Sequence, residues 1–201
     1  MRHEPEVGCV PNLLDDTPHE ECGVIGIWAP GKPVSTLTYF GLIALQHRGQ
    51  ESAGIVVADG EDLVVRKGMG LVSDVFTTTD LEKLEGCGAI GHVRYSTTGA
   101  SLLDNCQPVV VRYKGGALAL AHNGNLVNAH ELRVELEQDG SIFQSTIDSE
   151  VVAHLIARSH HRQLEAAVIE SCQRVMGGYA LVFITPQKLM AIRDPHGIRP
   201  L

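Results

Sequence analysis

The 201-residue sequence contains no apolar run that approaches the roughly 20 residues needed to span a membrane. Its basic residues form no stripe, so a nucleic-acid-binding surface is not indicated. The formal net charge is −8, and residues 1–21 carry six carboxylates against one arginine. This acidic leader lacks the basic start and apolar centre of a secretory signal. We therefore expect no membrane and no nucleic-acid partner.

The cysteines are odd in number and include no C-x-x-C spacing, so they do not suggest a disulfide framework. This pattern favours a reducing compartment, and we expect a cytoplasmic protein. The ten histidines show no metal-type arrangement, because His160 and His161 are adjacent on a predicted helix and cannot face one site. No metal site is expected in this segment. The five cysteines are Cys9, Cys22, Cys87, Cys106 and Cys172.

Strand pairs and helices follow one another without a regular β-α alternation, which predicts antiparallel sheets covered by helices. A first, buried strand over 22–28 and a strand over 89–94 accompany three hairpins. The hairpins are 53–58 with 63–67, 109–113 with 117–121, and 179–184 with 189–193. Helices are predicted from about 37 to 48, over 81–84, from 128 to 138, over 148–159 and over 163–175. Asn128 and Glu131 form a capping-box pattern for the third of them. The fold class is therefore layered α+β.

Cys22 stands where the acidic leader meets the first predicted strand. If the bond between Glu21 and Cys22 is cut, this residue acquires a thiol and a free α-amine on one carbon. That combination is a nucleophile with its own base. The alternative is a buried core cysteine, which is common in proteins.

Three polar positions offer chemistry that could serve a nucleophile, each with a plainer alternative. Asn123 and Gly124 form either a type I′ turn or a strand-end loop whose amide and backbone N–H make an oxyanion hole. Arg94, at the end of a strand, offers a fork for a carboxylate or forms a surface ion pair. Asp148 caps the next helix or holds an ammonium group. The run 47–54 is either a helix C-cap with its loop or part of the same site.

Taken together and in order, five segments resemble the class II glutamine amidotransferases, and within them the glutaminase domain of the amidophosphoribosyltransferase family. The segments are CGVIG at 22–26, HRGQESAGI at 47–55, HVRYST at 92–97, HNGNL at 122–126 and DSE at 148–150. The sequence HRGQ at 47–50 separates the chain from the sugar-phosphate aminotransferase relatives.

The resemblance implies an N-terminal-nucleophile hydrolase fold, four αββα layers with two stacked antiparallel sheets. It implies hydrolysis of L-glutamine to L-glutamate and ammonia through a thioester on Cys22, with the Asn123 side chain and the Gly124 N–H as oxyanion hole. The substrate-binding residues that it implies are Arg94 and Thr97 for the α-carboxylate, Asp148 for the α-ammonium, and Arg48 and Gly49 beside the nucleophile.

The resemblance also implies a propeptide at 1–21, a glutaminase domain at 22–201, and a phosphoribosyltransferase domain that this chain lacks, so that we expect a fragment or a truncated product. In the full enzyme, ammonia would meet phosphoribosyl pyrophosphate and give 5-phosphoribosylamine for de novo purine synthesis. Mg²⁺, an iron–sulfur cluster in some members, and a homo-oligomer are implied for the full-length enzyme alone. The cysteines besides Cys22 show no spacing that supports such a cluster.

Three alternatives stay open at this point. A class II glutaminase domain could serve another acceptor, such as a sugar phosphate. The domain could be catalytically silent and bind a partner that it regulates. It could also be a self-processing hydrolase acting on a different amide, which the paired anchors Arg94 and Asp148 disfavour.

Overall fold

A computed structural model describes residues 22–95 and 102–201. In this part of the chain there are eight strands, six α-helices and two short 3₁₀ turns, the latter at Gln46–Arg48 and Leu103–Asn105. The strands are β1 (Gly23–Trp28), β2 (Ser52–Ala58), β3 (Leu63–Met69), β4 (Gly88–Arg94), β5 (Val109–Tyr113), β6 (Gly116–Leu126), β7 (Gly177–Thr185) and β8 (Lys188–Arg193). The helices are α1 (Val34–Leu45), α2 (Val72–Val75), α3 (Thr78–Lys83), α4 (Ala129–Gln138), α5 (Glu150–Arg158) and α6 (Leu164–Arg174). No helix of these two ranges is long and apolar enough to cross a bilayer.

The strands form two four-stranded sheets, ordered β1-β4-β2-β3 and β5-β6-β7-β8, and every pairing is antiparallel. All three predicted hairpins are confirmed. The turn between β2 and β3 is held by Asp59, whose side chain accepts the N–H groups of Glu61 and Asp62 at 2.8 and 2.7 Å. Such Asx turns are a common way to reverse the chain.

Three apolar clusters separate four layers. One cluster lies between the two sheets and joins Val56 and Ile90 of the first to Ala119 and Val182 of the second. The outer face of the first sheet packs on α1 to α3, and that of the second packs on α4 to α6. The predicted αββα layering is therefore confirmed.

The first strand differs from its prediction. It begins at Gly23 rather than Cys22, and it pairs with β4 at the edge of its sheet, with only Gly23 fully buried. An edge position leaves part of a strand in contact with water, so an apolar sequence alone does not make β1 a buried strand.

The capping box predicted for α4 is also wrong. The Asn128 side chain makes no capping bond to its own helix. Its Nδ2 donates to the carbonyl oxygen of Arg174 at 2.9 Å, and its Oδ1 accepts the N–H of Met176 at 2.8 Å. These bonds satisfy backbone groups at the end of α6, so a tertiary contact takes the place of the local one.

Candidate active site

Cys22 lies directly before β1, and its thiol contacts the backbone of Tyr95, the residue that follows β4. The N–H of Tyr95 donates to Sγ at 3.5 Å, and Sγ lies 3.5 Å from the Tyr95 carbonyl oxygen. Burial raises the pKa of the thiol above its ordinary value, while the Tyr95 backbone and the charge of Arg94 act in the opposite direction. The thiol is therefore protonated at neutral pH and needs a base before it can attack.

The 3₁₀ turn after α1 brings Arg48 and Gly49 beside this cysteine. The Nε of Arg48 donates to the carbonyl oxygen of Cys22 at 3.3 Å. Gly49 has an extended backbone, with φ −164°, and its backbone packs against that of β4. A Cβ at this position would come within 2.6 Å of the Arg94 carbonyl carbon and 2.7 Å of the Val93 carbonyl carbon. Close approach between two backbones, not an unusual φ, requires the glycine here.

Arg94 ends β4 and is not the surface residue of the plainer alternative. It is 3% exposed, and its guanidinium forms an ion pair with Glu51. The Glu51 N–H in turn donates to the Arg94 carbonyl oxygen at 3.0 Å. A buried guanidinium beside the thiol of Cys22 is a fixed positive charge that a carboxylate ligand could meet. Thr97, predicted to assist Arg94, lies outside the described residues.

Asn123 and Gly124 lie inside β6, opposite Ala180 and Tyr179 of β7. Both interpretations of the Asn-Gly pair, a type I′ turn and a strand-end loop, are therefore wrong in their backbone geometry. Gly124 has φ +141°, and a Cβ there would come within 2.1 Å of the Gly178 carbonyl oxygen. Glycine at this position and at Gly177, where a Cβ would come within 2.1 Å of the Asn125 carbonyl oxygen, lets the two strands continue their pairing.

The Asn123 side chain points toward the first sheet, because alternate residues of β6 at 117, 119 and 121 line the space between the sheets. It borders a cavity of about 430 Å³ that Arg48 and Gly23, the residue after Cys22, also line. Asn123 is 4% exposed, and its Oδ1 has no hydrogen-bond partner within the described ranges. A buried amide with unused hydrogen-bonding capacity is suited to bind a ligand.

Asp148 precedes α5 but does not cap it with its side chain. Its Oδ1 lies 3.2 Å from Nδ1 of His122, and its Oδ2 accepts the N–H of Leu126 at 2.8 Å. Burial by itself would raise the pKa of this carboxyl, but His122 and the N–H groups of Leu126 and Ser149 outweigh it and hold the pKa below its usual value. The charge of Asp148 also acts on the thiol of Cys22. An ionised carboxylate thus lies within electrostatic reach of the nucleophile.

Three residues of this site had no predicted role: Glu51, Tyr95 and His122. Each lies within two residues of a predicted site residue, in one of the segments that carry the family resemblance. Their contacts with Arg94, Cys22 and Asp148 depend on which strands become neighbours.

The part of the chain that the structure describes contains no group of three or more His, Cys, Asp or Glu side chains placed to hold a metal ion. Cys87, Cys106 and Cys172 are free thiols, and Cys106 is fully buried. They do not fit an iron–sulfur cluster, which needs several thiolates at one point.

Comparison with known proteins identifies the sequence class. A family profile described as a glutamine amidotransferase domain matches residues 92–201. Amidophosphoribosyltransferase 2 of Arabidopsis thaliana, a chloroplastic protein, is 52% identical over 188 residues, which are 93% of this chain and 33% of the relative. Amidophosphoribosyltransferase of Bacillus subtilis is 50% identical over 184 residues, 91% of this chain and 38% of the relative. The chain thus spans about a third of the length of these relatives.

Solved structures agree with this similarity. Glutamine phosphoribosylpyrophosphate amidotransferase from B. subtilis, in complex with ADP and GMP, superposes with a TM-score of 0.82 at 49% identity over 88% of this chain and 38% of that protein. A second structure, described as the allosteric regulatory enzyme of purine biosynthesis, gives a TM-score of 0.84 at 49% identity, again over 88% of this chain and 38% of that one. The predicted N-terminal-nucleophile hydrolase fold is confirmed. The chain belongs to the glutamine amidotransferase domain family.

Proposed function

We propose that residues 22–201 hydrolyse L-glutamine to L-glutamate and ammonia through a thioester on Cys22. The observation that carries this proposal is that two side chains of opposite charge, the buried Arg94 and the carboxylate of Asp148, lie close enough to the Cys22 thiol to shift its pKa in opposite directions. Free glutamine carries an α-carboxylate and an α-ammonium at one end and a carboxamide at the other. Two opposite charges near a nucleophile match that whole amino acid better than a peptide-bound side chain.

The α-amine of Cys22 supplies the base. An α-amine titrates near 7.7–8.0, so it is partly neutral at physiological pH. It takes the thiol proton while sulfur forms a bond to the carboxamide carbon, and it then delivers that proton to the leaving ammonia. It next activates a water molecule, which attacks the thioester, releases glutamate and restores the thiol. While residues 1–21 are attached, the same nitrogen is a peptide amide and cannot act as base.

The oxyanion that forms during attack is stabilised by the Asn123 side chain and the Gly124 N–H. The role needs the Nδ2 group of Asn123 as donor, and the burial of this side chain beside the cavity that Gly23 also borders supports it. Loss of one such donor typically costs about 3–4 kcal/mol of transition-state stabilisation.

Arg94, assisted by Thr97, holds the glutamine α-carboxylate, and Asp148 holds the α-ammonium. Arg48 and Gly49 fix the backbone of Cys22 and the end of β4. Glu51 forms an ion pair with the Arg94 guanidinium and so fixes its orientation.

In a protein of the relatives' full length, we propose that the ammonia goes to phosphoribosyl pyrophosphate and gives 5-phosphoribosylamine for de novo purine synthesis. The similarity to amidophosphoribosyltransferases supports this acceptor over a sugar phosphate. Mg²⁺ and the phosphoribosyltransferase domain belong to residues outside this chain in that scheme, and the full-length protein is a homo-oligomer. We propose a cytoplasmic location, although several relatives are chloroplastic.

The test combines intact mass with a glutamate-release assay on the purified chain. We expect no glutamate from a chain whose mass includes residues 1–21, and release to begin when the mass corresponds to Cys22 as the first residue. Full activity of the uncleaved chain would contradict the role of the α-amine. Trapping of Cys22 by a glutamine-like electrophile separates an active site from a silent domain.

A further inference from the structure

We propose that Asp194 is a positioning residue for the oxyanion hole: it binds the backbone of Tyr179 on one side of β7 and so leaves the N–H of Gly124 available on the other. This inference rests on the proposed function, because it concerns the donor that the proposal assigns to Gly124. Asp194 follows β8 and touches neither Cys22 nor any proposed substrate anchor in the described contacts.

The Asp194 side chain is the centre of a hydrogen-bonded turn. It is 2% exposed, and it accepts backbone N–H groups from four residues. Oδ1 accepts those of His196 and Ile198 at 3.0 and 2.9 Å, and Oδ2 accepts those of Arg199 and Tyr179 at 3.0 and 3.3 Å. Although burial acts to raise it, these N–H groups lower the pKa of the carboxyl to about 2. The side chain is therefore a carboxylate, an acceptor for all four bonds, throughout the physiological range.

The hydrogen bond to Tyr179 shows in which direction the backbone N–H and C=O groups of this residue point. The Asp194 N–H also donates to the Tyr179 carbonyl oxygen, at 2.8 Å, so both backbone groups of Tyr179 point to the β8 side. Gly124 is the register partner of Tyr179. In an antiparallel ladder, residues directly opposite either exchange both hydrogen bonds or exchange none. Gly124 and Tyr179 are thus a pair that exchanges none.

The other edge of β6 confirms this alternation. The N–H groups of His122 and Leu126, two residues to each side of Gly124, donate to the side chains of Gln107 and Asp148 at 2.8 Å. Backbone groups two residues apart in a strand point the same way. The Gly124 N–H therefore points away from β7, to the same edge of β6 as Asp148.

The same turn fixes β7 from its outer side. Ile198 packs on Gly178, so that a Cβ on Gly178 would lie 2.8 Å from its Cγ2. Gly178 in turn supplies the carbonyl oxygen that leaves no room for a Cβ on Gly124. Pro200 and Leu201 then border the cavity that Asn123 lines. Asp194 is thus connected to Gly124 through the backbone of Tyr179. It is connected to Asn123 through the turn at 194–201, whose last two residues border the same cavity.

The experiment compares Asp194→Asn with the parent, both with Cys22 as first residue by intact mass. Asparagine keeps one carbonyl oxygen but turns one acceptor into a donor, so two of the four N–H groups lose their partner. We expect kcat for glutamate release to fall about tenfold to a hundredfold, part of what deletion of a whole donor costs, with KM changed less than threefold. The rate of Cys22 alkylation by iodoacetamide should stay within twofold, because displacement of iodide forms no oxyanion.

Asp59→Asn is the matched control, since Asp59 also accepts two backbone N–H groups in a turn, at the opposite end of β2 from the site. It should leave kcat, KM and alkylation unchanged. An unchanged kcat in Asp194→Asn would overturn the inference, and so would equal losses of kcat and alkylation, which indicate a general disturbance. If the parent itself releases no glutamate, the proposed function has failed instead.

Amide hydrogen exchange of the parent tests the geometry without any substitution. The Tyr179 N–H should be protected and the Gly124 N–H should exchange faster than its neighbours His122 and Leu126, whose N–H groups are bonded. Strong protection of Gly124 in the unliganded chain would overturn the inference, even if Asp194→Asn does not fold.

Discussion

The imidazole of His92 joins the two sheets: its Nε2 lies 3.0 Å from the carbonyl oxygen of His122. A carbonyl oxygen only accepts, so Nε2 carries the proton and donates. His92 is fully buried, and burial, aided by the charges of His122 and Arg94, lowers its pKa to about 3. It is therefore a neutral ring at the centre of the molecule.

This burial makes stability depend on pH. In the unfolded chain His92 titrates near 6.5, so between about pH 6.5 and 3 the unfolded state binds a proton that the folded state does not. The free energy of unfolding therefore falls as pH falls through that window, by up to about 1.4 kcal/mol per pH unit. We expect His92→Gln, which can still donate to His122, to show a smaller difference between its urea midpoints at pH 7 and pH 4.5.

The matched control for this measurement is His130→Gln, because His130 is exposed on α4. Its urea midpoints should differ between the two pH values as much as those of the parent. A parent-like pH difference in His92→Gln would show that the buried ring does not cause the acid sensitivity.

Asp148 should govern glutamine binding without setting the acid limit of activity. Its pKa is held below 3.8, so it stays ionised above pH 5. In the proposed mechanism, activity should fall between pH 8 and 6 because the Cys22 α-amine becomes protonated. We expect Asp148→Asn to raise KM for glutamine about tenfold or more while that acid limb of kcat stays in place. Glutamate release measured from pH 5 to 9 checks both.

For comparison, Asp139→Asn removes a carboxylate that pairs with Arg158 on the surface. Exposed pairs contribute about 0–1 kcal/mol, and we expect KM to stay within twofold. A KM for Asp148→Asn equal to that of this control would exclude Asp148 as the ammonium anchor.

Local sequence signals predicted most elements because hairpins and amphipathic helices depend on residues close in the chain. The Asn123-Gly124 pair shows where this ends. On its own it favours a turn, but it lies in a strand that pairs with residues more than fifty positions later, where Gly177 has no Cβ to clash with the Asn125 carbonyl oxygen. The same holds for the Arg94–Glu51 ion pair, which requires β2 and β4 to lie side by side. Contacts between strands that are distant in the sequence place the site residues, and such contacts cannot be predicted from neighbouring residues alone.

Replacement of Cys22 should separate the nucleophile from the other thiols. We expect Cys22→Ser to lower kcat by a factor on the order of 10³ or more, because a hydroxyl is a far weaker nucleophile beside the same amine. Cys87→Ser is the control: Cys87 is half-buried like Cys22 but lies between α3 and β4. It should keep parent activity. Similar losses in both variants would argue that the defect is in folding and not in chemistry.

Gly49→Ala tests the close packing of the 3₁₀ turn on β4. The added Cβ would lie 2.6 Å from the Arg94 carbonyl carbon, and backbone atoms in a paired strand cannot move aside cheaply. We expect a loss of about 1–3 kcal/mol in the free energy of unfolding and a fall in glutaminase activity, since the shift displaces Arg48 and Arg94 relative to Cys22.

Gly68→Ala, in β3, provides the comparison for this substitution. Its added Cβ would meet Val75 at 3.4 Å, an ordinary van der Waals contact, so alanine should be tolerated there in stability and activity. Urea unfolding and glutamate release on both variants distinguish the two cases. If both alanines were equally harmless, the 3₁₀ turn could move away from β4 at no cost. Gly49 would then have no part in placing the nucleophile.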